Sequence, residues 1–393
     1  MRTTLRTTTS TLAAAVALAG LVTAAGPAGA AVPAATPACS PGLVTLPSLP
    51  DPGGWTYGSV RALGSGDLAV GTSVGRPAYW TGGEVHAVPL PDGFRAGEVT
   101  AVNAKGLLVG TARRTSDQAT AVFAYQLGAP VARLLTEASA TGTGAPYVND
   151  AGRVVALDRG AVKEWVNGTE VARAFPLPAD ARPGTEIVSL SGVNRRGDVL
   201  GTAYSTYVDP ETDELHRSRY PVVWPAGGYP PYSLPVWTDD DRTVGTVATG
   251  IDNRGRVVGY EKESYRDVQR RTPAVWKQPY DAPPADPGRL AGEEQAALEA
   301  ISPNTNVAVG TASTFVDGYE NYAQALYWPG SGPLLALPRP GTDWRSWAHA
   351  VSDDDRVGGE MVDNSTLKVT AVIWTCASKQ AFLPGGPSKG STG

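Results

Sequence analysis

The sequence predicts an all-β fold: a seven-bladed β-propeller of four-stranded antiparallel blades, closed by the N-terminal strand pairing into the last blade. Three observations predict it. A motif of small-residue strand, turn, Val-rich strand and aromatic-ended strand recurs seven times between residues 58 and 374. The aromatics that close the third strand of each unit, at 80, 125, 165, 224, 276, 328 and 374, recur about every 49 residues, the length of four short strands and their turns. Gly and Pro, 46 and 33 of 393 residues, exclude a mostly helical chain and suit dense turns.

The best copy of the unit is Thr249-Gly250-Ile251-Asp252-Asn253-Arg254-Gly255-Arg256-Val257-Val258-Gly259, followed by Pro273-Ala274-Val275-Trp276. Two close copies start at Ala101 and Gly192, and weaker ones at Val60, Tyr147, Leu298 and His349. Asn or Asp with Gly a few places later, as in Asn194 and Gly197, reads as a tight hairpin, because these residues tolerate left-handed backbone. The Gly closing the second strand reads as room for neighbouring blades to approach. Trp at the end of the third strand reads as blade-to-blade packing.

The seventh unit stops at Trp374 without a fourth strand, while residues 43–50, Leu-Val-Thr-Leu-Pro-Ser-Leu-Pro, stand before the first unit without a blade. The two together make one closed blade, which removes free sheet edges. Cys39 and Cys376, the only cysteines, flank that seam, and a disulfide between them is expected. Arg2 and Arg6, an apolar stretch over 12–25 and Ala28-Gly29-Ala30 read as a signal peptide. The domain reading is signal peptide 1–30, short linker 31–38, propeller 39–378 and flexible C-terminal tail 379–393.

With these residues in view, the unit G-[IV]-[ND]-x-x-G-x-[VL]-[VL]-G followed by Ala-x-Trp, seen at Gly250 to Gly259 with Ala274 and Trp276, resembles the HAF repeats of probable extracellular proteins. The resemblance covers about 58–374. It implies an extracellular β-propeller and carries no catalytic residues over.

For function, the net charge of −5 argues against nucleic acid as a partner, and no apolar run after the leader is long enough to span a membrane. In a four-stranded blade the second-to-third connections and the blade-to-blade connections share one face. Long irregular insertions after Gly201, Gly259, Gly310 and Gly359 mark that face as the variable one. Candidate ligand-binding residues on it are Trp55, Trp237, Trp344 and Trp347, placed in blade-to-blade connections, with Tyr207, Asp209, Tyr265 and Tyr319 from the insertions. Aromatic and acidic side chains in such a rim suit stacking on sugar rings or a protein partner; solvated loops with Trp caps are the alternative.

Asp239-Asp240-Asp241 and Asp353-Asp354-Asp355 lack the spacing of a calcium loop and read as turns. His86, His216 and His349 are scattered over different units and form no catalytic motif. The expectation is a secreted monomeric propeller, non-enzymatic, without metal or cofactor, that binds an extracellular glycan or protein on its long-loop face. The alternative is a hydrolase or lyase of extracellular polysaccharide, with carboxylates such as Asp209, Glu263 or Glu320 converging.

Overall fold

The computed structural model describes residues 39–208, 213, 215–237, 243–265, 268–316 and 319–384. The expected leader 1–30 and linker 31–38 lie outside the described residues. Seven antiparallel sheets follow one another along the chain as the blades of a propeller. Their first strands are Gly58–Leu63, Phe94–Val102, Tyr147–Val148, Glu186–Val193, Thr243–Ile251, Gln295–Ile301 and Trp344–Val351, in blades 1 to 7. Each pairs with the second strand of its blade, and the third and a short fourth strand follow outward. In blade 5 the fourth strand shrinks to a single bridge between Val275 and Ala285.

Blade 7 takes its outer strand from the other end of the chain. Gly42–Thr45 pairs antiparallel with Lys368–Thr375, in register from Gly42 with Thr375 to Thr45 with Val372. Cys39 and Cys376 form the expected disulfide beside that seam, 337 residues apart in sequence. The described residues continue past 378, to 384. A one-turn helix spans Ala377–Gln380, and Phe382 exchanges backbone hydrogen bonds with Ala336 of blade 6, so the start of the segment 379–393 is docked.

The third-strand tryptophans hold the outer seams. The indoles of Trp80, Trp224, Trp276 and Trp374 are buried, and each donates a 2.7 Å hydrogen bond to a proline carbonyl, of Pro47, Pro176, Pro235 and Pro338 respectively. Each proline follows the fourth strand of the preceding blade. A large apolar face and one directed N–H therefore lock every such pair of blades.

Two repeated devices work differently from the sequence reading. The turn asparagines do not supply left-handed backbone; the glycines after them do, Gly106, Gly152, Gly197 and Gly255 having φ between 73° and 91°. Asn103, Asn149 and Asn194 instead cap their own turns with Oδ1 and pass Nδ2 to the next blade, onto the carbonyls of Asn149, Asn194 and Asp252 at 3.1, 2.9 and 3.0 Å. A side chain that accepts locally and donates across the seam ties turn to neighbour.

The second-strand glycines are not spacers between blades either. In six blades the first strand carries a β-bulge directly opposite that glycine, between Val60 and Ala62, Val99 and Ala101, Leu190 and Gly192, Ala248 and Gly250, Leu298 and Ala300, and Ala348 and Ala350. The bulge presses a first-strand carbonyl into the space where a Cβ would sit: that of Ser59 against Gly71, Glu98 against Gly110 and Trp347 against Gly359, for example. Only glycine fits.

The long segments after Gly201, Gly259, Gly310 and Gly359 are not irregular insertions. They continue as hairpins, Val199–Val208 with Leu215–Trp224, Val257–Tyr265 with Val268–Trp276, Ala308–Val316 with Tyr319–Trp328, and Val357–Asp363 with Lys368–Thr375. Alternating β-branched and aromatic residues such as Tyr204-Ser205-Thr206-Tyr207-Val208 favour strand over loop.

Candidate functional site: the central channel

The residue expelled by each bulge faces the axis. Arg61, Thr100, Ser191, Thr249, Glu299 and His349 occupy the same position in blades 1, 2, 4, 5, 6 and 7, and all six line one central cavity of about 460 Å³. Blade 3 has Pro146 at this point and presents the adjacent Tyr147 to the cavity. The next residue is small in the other six blades. The one after it is aliphatic, and Leu63, Val148, Val193, Ile251, Ile301 and Val351 add an apolar ring toward the turn face. A polar ring thus sits directly above an aliphatic one.

The polar ring divides in two. On one arc the hydroxyls serve the fold: Thr100 donates to the Pro146 carbonyl at 2.6 Å and Thr249 to the Leu298 carbonyl at 2.8 Å, each bridging to the next blade. On the other arc the residues are charged. His349 Nδ1 meets Glu299 Oε2 at 2.7 Å, Glu299 Oε1 accepts from Thr311 at 2.7 Å, and Glu360 Oε1 lies 3.9 Å from His349 Nε2. Arg61 Nε approaches Glu98 Oε2 at 3.7 Å. His349 Nε2 and Arg61 Nε are buried and have no hydrogen-bond partner.

Burial works against charge on His349, but the bond to Glu299 and the proximity of Glu360 outweigh it and push the imidazole up to about 9. Burial likewise works against ionised Glu299 and Glu360, yet the His349 beside them holds both below the usual carboxylate range. The three form an ionised cluster at neutral pH. Burial, and then the Glu98 charge, push the Tyr147 hydroxyl up to about 12, so it stays a neutral donor.

A second cavity of about 420 Å³ adjoins the ring and shares Tyr147, Ser191, Thr249 and Glu299 with it. Its other walls are Val247, Ala248, Ala297, Tyr260, Lys262 and Arg271. By strand register Lys262 lies beyond Tyr260 toward the long-hairpin face, so this cavity is the mouth of the channel on that face.

The rim residues named from the sequence do not all join this site. Trp344 and Trp347 belong to the first strand of blade 7 and not to a connection. Trp344 packs on the blade-7 core. Trp347 stands two residues before His349, at the position that Val247 and Ala297 of the mouth hold in their blades, with the Arg345 guanidinium 5.7 Å from its ring centroid. Trp237 donates its indole N–H to the Pro284 carbonyl at 2.6 Å and packs against the blade-5 core. Trp55 is 74% exposed on the connection before blade 1. The Tyr207 ring carries the Arg182 guanidinium 3.8 Å above its centroid. Asp209 lies outside the described residues; Tyr265 and Tyr319 sit in hairpin strands, and their side chains lie outside the described part.

The carboxylates of Asp353, Asp354 and Asp355 diverge to separate partners, Asn304, Arg356 and Ser378, as turn residues do. Asp239-Asp240-Asp241 lie outside the described residues. Of the three histidines, which lie in different units of the sequence, His349 is central to the charged arc. The available signal was positional: the residue before each small-aliphatic pair, Arg61, Thr100, Ser191, Thr249, Glu299 and His349, changes type where its neighbours repeat.

No protein-family model matches the chain, and no curated protein is similar to it in sequence. Among solved structures it is similar to the β-propeller domain of the Trilobed protease from Pyrococcus furiosus, with TM-score 0.52 and 9% identity over 82% of this chain and 93% of that one. That propeller is described as having an open velcro topology; here Gly42–Thr45 closes blade 7. A puromycin-hydrolysing peptidase from Mycobacterium tuberculosis is similar at TM-score 0.38 and 13% identity over 69% of this chain and 52% of that one. At these identities the likeness establishes the fold alone. Among the described residues no helix is long and apolar enough to cross a membrane.

Proposed function

We propose that this protein is a secreted, non-enzymatic binding propeller that takes an extracellular glycan at the mouth of its central channel. The observation that carries the reading is the convergence of bulge residues from six blades on one polar ring, with buried His349 Nε2 and Arg61 Nε left without hydrogen-bond partners. Each donor keeps only a long ion-pair contact, to Glu360 at 3.9 Å and to Glu98 at 3.7 Å, so hydrogen-bonding capacity remains that a ligand can take up. Hydroxyls, an imidazolium and the Tyr147 phenol match the polar edge of a sugar, while Tyr260 supplies an apolar face.

The hydrolase reading has one point in its favour: Glu299 and Glu360 approach the same imidazole from neighbouring blades. Glycoside hydrolysis needs one carboxylic acid held protonated, and both of these are held ionised. The charges held on both carboxylates therefore favour retention over turnover. Passing the full chain over an immobilised glycan panel while assaying release of reducing sugar tests this. Retention without reducing ends, lost in His349→Ala, is the expected result; steady release of reducing ends would overturn it.

A further inference from the structure

We propose that the channel mouth holds the carboxylate of an acidic sugar, a hexuronate residue, on Lys262 and Arg271, in a row that Arg219 flanks. The inference rests on the channel-binding reading and names the ligand class.

The row follows from strand register. Lys262 stands directly opposite Gly245 on one side and Arg271 on the other. Gly245, with φ of 141°, leaves its side-chain space to Arg219 of the preceding blade: a Cβ there would stand 2.9 Å from the Arg219 Cβ. Lys262 and Arg271 thus lie side by side in the cavity wall, and Arg219 of the preceding blade flanks them with its guanidinium 5.5 Å from the Tyr204 ring centroid. Like charges directly opposite across an antiparallel pair destabilise a sheet, so the fold gains nothing from the Lys262 and Arg271 pairing itself. Burial, and then the Arg271 and Arg219 charges, depress the Lys262 ammonium.

The cations are not matched by a carboxylate on Lys262. Arg271 already has partners in the fold, and Glu299, the acidic residue of this cavity, is engaged by His349 and Thr311. Among the described residues no carboxylate pairs with the Lys262 ammonium, which lies 5.9 Å from the Tyr260 ring centroid. An anionic group seated on Lys262 relieves the repulsion along the row, a gain that a neutral ligand does not provide.

The surroundings specify more than charge. The cavity of about 420 Å³ falls in the range that accepts small organic ligands and is larger than an inorganic anion needs. It adds the hydroxyls of Ser191 and Tyr147, the Thr249 oxygen as an acceptor, since its proton goes to the Leu298 carbonyl, and the face of Tyr260. Cations for one carboxylate, hydroxyl partners for several ring hydroxyls and an aromatic wall together describe a uronate.

Calorimetric titration of the full chain with trigalacturonate and with its methyl ester isolates the charge, because the ester keeps the shape. The acid should bind at least about tenfold more tightly than the ester, and added salt should narrow the gap. Lys262→Gln should lose about tenfold or more for the acid and leave the ester unchanged, while Lys262→Arg should stay within about threefold of the parent, which also shows that the position tolerates substitution. Equal affinity for acid and ester would overturn the uronate assignment and leave the channel reading standing. Hexaglutamate binding as tightly as trigalacturonate would overturn it in favour of acidic peptides. Binding of neither sugar, with no glycan retained by the parent protein, would overturn both readings.

Discussion

The outer seam and the inner ring are built from equivalent positions in successive blades, yet they behave in opposite ways. At the outer seam the residue type repeats: Trp80, Trp224, Trp276 and Trp374 make the same 2.7 Å bond to the proline carbonyl of the preceding blade. At the inner bulge the backbone repeats and the side chain does not, running through Arg61, Thr100, Ser191, Thr249, Glu299 and His349. A position that must stack on its neighbour is constrained to one chemistry. A position whose geometry is fixed by a bulge and a glycine is free to carry any side chain to the axis, and there the chemistry diversifies.

That contrast can be broken from either side. The largest effect should come from the closure that holds every seam in ring form: replacing Cys39 and Cys376 by Ser should cost about 5 kcal/mol on the chain-entropy model for so long a loop, read as a lowered denaturation midpoint. Next, Gly359→Ala forces a Cβ onto the Trp347 carbonyl and should cost at least about 3 kcal/mol, since the backbone and not a flexible side chain must yield. A smaller loss, about 1–2 kcal/mol, should follow Trp374→Phe, which keeps an aromatic ring but leaves the Pro338 carbonyl without its donor.

The inner ring should announce itself through pH instead. His349 sits near 9 in the folded chain against 6.5 for an unperturbed histidine, so its stabilising contribution is complete below pH 6.5 and is lost as pH rises through 9. Denaturation midpoints across that window should fall in the parent protein, and the fall should flatten in His349→Ala. A parent curve with the same slope as the variant would mean that the imidazole is not held charged by Glu299 and Glu360.

The same contrast explains what was legible in the sequence. Repeated residues announced the blades, the closure by residues 43–50 and the Cys39–Cys376 pair, because a device used in every blade leaves a period. The glycine before each long hairpin was visible, but its purpose was not: seeing that Gly359 answers a bulge at His349 requires the register of two strands. The channel was hidden for the opposite reason. Arg61, Glu299 and His349 share no residue type and lie far apart in the chain, so nothing but their common place ahead of a small residue and an aliphatic one links them. Trp237, by contrast, was conspicuous as a tryptophan outside the period, and its indole is spent on the Pro284 carbonyl. The hairpins after Gly201, Gly259 and Gly310 read as loops because turn-rich and charged residues at their tips masked the alternation in their arms.

The measurement that bears most directly on the central claim is glycan affinity compared between one ring variant and one rim variant. Glu299→Gln removes charge from the ring while keeping its shape; Trp55→Ala removes the most exposed rim aromatic. Retention should fall about tenfold or more in Glu299→Gln and stay unchanged in Trp55→Ala. Loss of retention in Trp55→Ala with full retention in Glu299→Gln would place recognition on the rim and contradict the account.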